Sequence, residues 1–181
     1  MAPILGIYAS QISGHLTPAS SYASIGTVTV GSGGASSITF SSIPSTYTHL
    51  QIRGICQIAS DPGLNFYWNG DTTHSNYYAH GLLGNGSSAS AGNYSSNPFL
   101  IYNTSSGSAF GAFVIDLLDY TNTQKYKVSR SLHGNDNNGS GYINLFSGLY
   151  KSTSAITSLT IQNEYSNTIA QYSSFALYGV K

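Results

Sequence analysis

From residue 37 to residue 59 the chain alternates apolar and polar positions in two runs on either side of Ile43-Pro44-Ser45. In the second run Leu50, Ile52, Gly54, Cys56 and Ile58 share one parity, and His49, Gln51, Arg53 and Gln57 the other. Successive strand side chains point to opposite faces, so a period of two predicts a strand with one buried and one wetter side. Ile55 interrupts the polar parity, so that side is expected to be partly covered. Pro44 lacks an N–H and fixes its own φ, which suits the corner between strands and not their interior.

The same pattern recurs along the chain. Strands are predicted over residues 25–30, 64–69, 76–83, 98–102, 109–120, 126–134, 141–150, 156–163 and 172–180, beside the two runs above. Gly/Ser-rich residues 31–36, Asp61-Pro62-Gly63 and residues 135–140 read as turns, and Asn69-Gly70-Asp71 as a tight turn. Residues 84–97, GNGSSASAGNYSSN, read as a glycine- and serine-rich loop. The longest apolar run, residues 109–120, carries Phe110, Phe113, Val114, Ile115, Leu117 and Leu118, and predicts a central strand buried on both faces. Short strands with turn signals roughly every 8–15 residues, no amphipathic helix and no short repeat define an all-β class. The expected architecture is an antiparallel β-sandwich of jelly-roll type.

Residues 1–24 depart from this pattern. Ile4, Leu5, Ile7, Tyr8 and Ile12 are spaced irregularly among glycine, proline and serine. The division is therefore an extended N-terminal docking arm, 1–24, and a sandwich domain, 25–181. An uncharged apolar arm left in water is a liability, so these five side chains are the candidates for docking onto a partner, against the plainer alternative of an extended edge segment packed along its own domain.

Charge narrows the function. The chain has 181 residues, 7% of them charged, with six Lys plus Arg against six Asp plus Glu. A neutral chain without a basic cluster does not suit nucleic acid or an acidic membrane surface. Zero net charge also removes the repulsion that keeps many proteins apart, which suits a subunit of an assembly better than a free enzyme. No apolar run reaches the ~18 residues of a membrane-spanning helix. The N-terminal apolar run has no basic residue before it, a poor match to a secretory signal. Cys56, the sole cysteine, falls on the buried parity and reads as core packing.

Catalytic and metal patterns find no support. Asp116 and Asp119 have opposite parity, and Asp71 and Asp136 sit in turns, where Asp binds its own backbone. His15, His49, His74, His80 and His133 form no metal-ligand spacing. Asp136-Asn137-Asn138-Gly139 lacks the later glutamate of a calcium loop and reads as a hairpin turn. No nucleophile elbow or phosphate loop is present. Thus neither an enzyme nor a cofactor is expected. The positive signal is aromatic: fifteen tyrosines and one tryptophan among abundant Ser, Gly and Asn, a composition of recognition surfaces. Trp68, Tyr77, Tyr78 and Tyr94 are candidates for stacking on a host surface glycan, against the plainer alternative of half-buried sheet aromatics.

Several stretches resemble small virion structural proteins of tailed bacteriophages. These are Pro3-Ile4-Leu5-Gly6-Ile7 with Ala9-Ser10-Gln11-Ile12-Ser13-Gly14, Ile38-Thr39-Phe40-Ser41-Ser42-Ile43-Pro44, and Tyr47-Thr48-His49-Leu50-Gln51-Ile52-Arg53-Gly54. The Asn69-Gly70-Asp71 turn, Gly84-Asn85-Gly86-Ser87-Ser88 and the closing Tyr172-Ser173-Ser174-Phe175-Ala176-Leu177-Tyr178-Gly179-Val180-Lys181 belong to the same likeness. The resemblance implies a virion protein on the particle exterior, made in the host cytoplasm. A capsid decoration subunit is the leading expectation, and a tail-fibre or receptor-binding tip the alternative. It also implies other virion proteins as partners and a homo-oligomer, with a trimer as first expectation.

Overall fold

The computed structural model describes residues 21–58, 63–101, 109–163, 165 and 167–181. The docking candidates Ile4, Leu5, Ile7, Tyr8 and Ile12 lie outside the described residues. Among the described residues twelve strands run in order: β1 Tyr22–Thr29, β2 Ser37–Phe40, β3 His49–Cys56, β4 Leu64–Trp68, β5 Tyr77–Gly84, β6 Ala89–Ser95, β7 Phe99–Ile101, β8 Gly111–Leu118, β9 Lys127–Asp136, β10 Gly141–Tyr150, β11 Leu159–Asn163 and β12 Ser174–Val180. One 3₁₀ turn, His74–Asn76, precedes β5, and no α-helix occurs among the described residues.

Pro44 stands at a corner where the chain changes layer. The strand before it, β2, pairs with β11 in a four-stranded sheet, while β3 pairs with β12 and β8 in an eight-stranded one. Eight strands form a long hairpin rolled into two layers. β1 pairs with β12, β2 with β11, β3 with β8 and β4 with β7, all antiparallel. The contacts β12·β3 and β11·β4 then close the roll. This is the jelly-roll β-sandwich. Two further hairpins, β5–β6 and β9–β10, extend the larger sheet beyond β8 in the order β9-β10-β5-β6.

The core lies between the layers. Leu50, Ile52, Cys56, Ile115, Leu117, Phe175 and Leu177 from the large sheet are buried, as are Ile38, Phe40, Leu64, Phe66, Trp68, Leu159 and Ile161 from the small one. Phe66 meets Phe113 edge to face, with ring centroids 6.2 Å apart. Each such side chain stabilises the fold by roughly 1.5–3 kcal/mol on full burial. The turn after β4 takes the predicted tight form, with φ of 54° at Asn69 and 70° at Gly70 and a bond from Asp71 N to the Trp68 carbonyl of 3.0 Å. Positive φ at both central residues marks a type I′ turn, which explains Asn-Gly there.

Four expectations change. Strand β1 begins at Tyr22, so the sandwich starts before residue 25. The loop expected at 84–97 contains strand β6, because the small residues Ala89, Ala91 and Gly92 can lie flat beside β5 in register. Strand β8 is not buried on both faces. Phe113, Ile115 and Leu117 are buried, but Ala112 is exposed and Val114 half-buried, since no layer among the described residues covers that side of the sheet. Strand β4 is buried throughout instead, its second side closed by Tyr67, which lies tilted against His74 and edge to face with Tyr77. Finally, Ile55 does not mark a covered face, being 51% exposed, whereas Gln51 is buried. The Gln51 amide donates to Asp116 (2.7 Å) and accepts from Arg53 Nε (2.6 Å), and that polar ladder shields it.

Candidate functional site

The open face of the large sheet is the candidate site, and strand β9 explains why. Along Lys127–Asp136 the even alternation predicted from sequence is present, but its polarity is reversed. Lys127, Ser129, Ser131 and His133 are buried, while Val128, Leu132 and Arg130 are exposed. The inward side is polar, and Lys127 and His133 each find partners there. Lys127 Nζ donates to the carbonyls of Asn122 (2.5 Å), Lys125 (3.2 Å) and Thr153 (3.1 Å), which uses all three ammonium hydrogens. Burial, with help from the Lys125 charge, lowers its pKa from the ordinary lysine value. His133 Nε2 lies 2.8 Å from the Asn144 amide and its ring stacks on Phe146 at 5.8 Å.

The outward side is apolar across several strands. Directly paired residues share a face, and the register sets Val114, Leu132, Leu145, Leu82 and Ala91 side by side on β8, β9, β10, β5 and β6. A second row beside it runs Ile55, Ala112, Gly134, Ile143, Gly84 and Ala89. Ile143 is 62% exposed, Leu82 60%, Leu145 48% and Leu132 47%. The small residues between them leave hollows. One cleft of about 990 Å³ is bordered by Phe110, Ala112, Val114, Leu132 and Ile143 and by the β5–β6 and β9–β10 hairpin ends. A smaller one of about 320 Å³ lies beside Leu82, Leu145, His80 and Arg130. The β9–β10 turn is held locally: Asp136 Oδ1 accepts from Asn138 N (2.9 Å), and Asn138 and Gly139 have positive φ. It is a hairpin turn, as its composition predicts.

Of the four aromatic candidates, Trp68, Tyr77 and Tyr78 border one cavity of about 10 Å³, too small for a sugar, and Tyr94 lies apart from it. Trp68 is 2% and Tyr77 3% exposed, both in the core. Tyr77 stacks on Tyr150 at 4.8 Å, and its hydroxyl accepts from Trp68 N (3.2 Å) and donates to the Asp71 carbonyl (2.7 Å). Burial drives the Tyr77 pKa well above the ordinary phenol value. Tyr78, its neighbour in β5, faces the other way with Lys151 Nζ 5.1 Å from its ring centroid. Tyr94 lies half-buried on the inner side against Phe146 at 5.4 Å. Trp68 and Tyr77 therefore cannot stack on a ligand in this fold. β-Propensity and core packing account for them.

The acids hold structure in place. Asp71 accepts from Asn76 Nδ2 (2.7 Å), Thr73 N (2.8 Å) and Tyr150 OH (3.1 Å). Burial raises its pKa, but these hydrogen bonds outweigh that and hold it below the ordinary value. Asp119 is paired with Lys125, whose hydrogen bond lowers its pKa. His49 Nδ1 accepts from the Asp119 amide (3.0 Å). Burial pushes the Cys56 thiol up to about 12, which leaves it un-ionised and inert. Among the described residues no three His, Cys, Asp or Glu side chains gather to hold a metal.

Sequence predicts this strand but not which parity faces inward, because alternation has no sign. The fold thus defines a jelly-roll β-sandwich whose larger sheet carries an exposed apolar face. The chain matches no family model, no curated protein and no solved structure.

Proposed function

We propose that the protein is a non-catalytic structural subunit of a bacteriophage virion, displayed on the particle exterior as a capsid-surface decoration protein. The observation that carries this reading is the reversal in β9: a neutral chain spends buried volume on polar side chains while presenting Val128, Leu132, Leu145 and Ile143 outward. An exposed apolar face of this size belongs to a protein that works in contact with others. The likeness of the sequence to small virion proteins supplies the kind of assembly. In this reading Ile4, Leu5, Ile7, Tyr8 and Ile12 tie the subunit to its neighbours in the particle.

Quantitative mass spectrometry of purified particles tests it. A decoration role requires copies in proportion to the major capsid protein, and deletion of residues 2–16 should leave a folded sandwich missing from particles. Absence of the intact chain from particles would reject the virion role. A few copies per particle would instead favour the tail-fibre or receptor-binding reading. One observation supports that second reading. The cleft of about 990 Å³ sets Phe110 and Tyr142 near Asn85 and Asp136, the mixture of rings and hydrogen-bonding side chains that suits a glycan.

A further inference from the structure

We infer that the outer face of the eight-stranded sheet is an interface between copies of this chain, the occupant being a second copy of the same sandwich. The inference deepens the proposed assembly role by naming its surface, and it stands on register and exposure alone.

The pattern of burial comes first. In a strand with one wet face the apolar residues turn inward, because each one left in water forgoes roughly 1.5–3 kcal/mol. Strand β9 does the opposite, with Lys127, Ser129, Ser131 and His133 inside and Val128 and Leu132 outside. The apolar surface continues in register on both neighbours, through half-buried Val114 on β8 and exposed Leu145 on β10 to Leu82 on β5. A second layer over this face removes the anomaly.

Size is sufficient. The face spans the strands β3, β8, β9, β10, β5 and β6. At ~4.8 Å between strands and ~3.4 Å per residue over about seven residues, it covers about 700 Å² per copy. Two copies would bury about 1,400 Å², above the ~1,000 Å² expected of a specific interface.

Shape suits self-association. The rows alternate knobs (Leu82, Leu132, Leu145, Ile143) with hollows at Ala112, Gly134, Gly84, Ala89 and Ala91. Sheets stacked face to face interdigitate about 10 Å apart, so a face bearing both features can seat a copy of itself. The neighbouring row adds one charge of each sign, Asp116 and Arg130, which are directly paired across β8 and β9. Arg53 on β3, paired with Val114, adds a further positive charge at the edge of the first row, while the chain as a whole carries no net charge.

The test is sedimentation of the full chain at concentrations up to on the order of 100 µM, with Leu132→Arg and Leu145→Arg made singly and together. These positions are exposed, so the circular-dichroism spectrum should stay that of the wild type. Tyr165→Arg, at a residue 61% exposed just after β11 of the smaller sheet, is the control. The wild type and the control should associate, and the double variant should dissociate at least ~30-fold more readily, as for a central interface residue. A monomeric wild type would overturn the inference and leave the face to another partner. A double variant that assembles like the wild type would overturn it too. Should substitution at Leu132 unfold the chain, Leu82→Arg at the far side of the patch gives the same readout. The isolated protein suffices, so this result is independent of whether particles carry the chain.

Discussion

Strands β3 and β9 flank β8 in the same sheet and treat their side chains in opposite ways. In β3 the buried parity is Leu50, Ile52 and Cys56, and the outward one includes His49, Gln51 and Arg53. In β9 the buried parity is Lys127, Ser129, Ser131 and His133, and the outward one includes Val128 and Leu132. The difference follows from what lies beneath. Below β3 the small sheet offers a full apolar layer, with Phe66, Leu159 and Ile161. Below β9 the small sheet reaches only with its edge strand β7, and at the start of β9 loop carbonyls from Asn122, Lys125 and Thr153 close the space around a lysine. Hydrocarbon is useful where there is hydrocarbon to meet, and under the proposed association β9 meets it on its outer side.

This contrast can be broken by substitution, the largest effect first. Leu50→Asp places an unpaired carboxylate in the apolar core, at a cost of several kcal/mol out of a total of ~5–15. The domain should unfold, read by loss of the strand spectrum and by new reactivity of the Cys56 thiol, which is buried in the native chain. A folded variant with an inert thiol would mean that the β3 register is wrong. Lys127→Met should cost about 2–4 kcal/mol in denaturant unfolding, since three carbonyls lose a charged donor. If the apolar replacement stabilises the protein, the polar interior of β9 is a liability and not a satisfied network.

A smaller effect tests the stitched end of the roll. The folded pKa of Asp71 lies below its ordinary value of 3.8. Its contribution is therefore present above that value and is lost as pH falls through the lowered one. Asp71→Asn should flatten the acid limb of the stability curve below about pH 4. An unchanged limb would assign acid sensitivity elsewhere, for example to Asp119. The smallest effect is expected for Leu132→Ser in dilute protein, within about 0.5 kcal/mol of wild type, as for an exposed residue.

Much of the fold was legible in residues, and the limits are physical. Pro44, the Asn69-Gly70 turn and the Leu50–Ile52–Cys56 parity encode local geometry, and each sits where the pattern places it. Strand β6 was hidden because ASAGNYS carries almost no apolar signal, and pairing with β5 in register makes it a strand. Gln51 was expected on the wetter side, yet Asp116 and Arg53 shield it, a tertiary effect invisible in β3 alone. Trp68 and Tyr77 look like recognition residues by type and are core residues by position. The β9 surface shows the general limit. Alternation in KVSRSLHGND predicts a strand, but which parity faces inward depends on the layer beneath it.

The central claim is that the outward face of β9 and its neighbours is dry in the working assembly. The most direct test is the melting temperature of the intact chain over a hundredfold range of concentration. Binding to the folded state alone makes that temperature rise with concentration. The account predicts a rise for the wild type and a flat line for the Leu132→Arg, Leu145→Arg double variant. A wild type whose melting temperature does not change with concentration would contradict it.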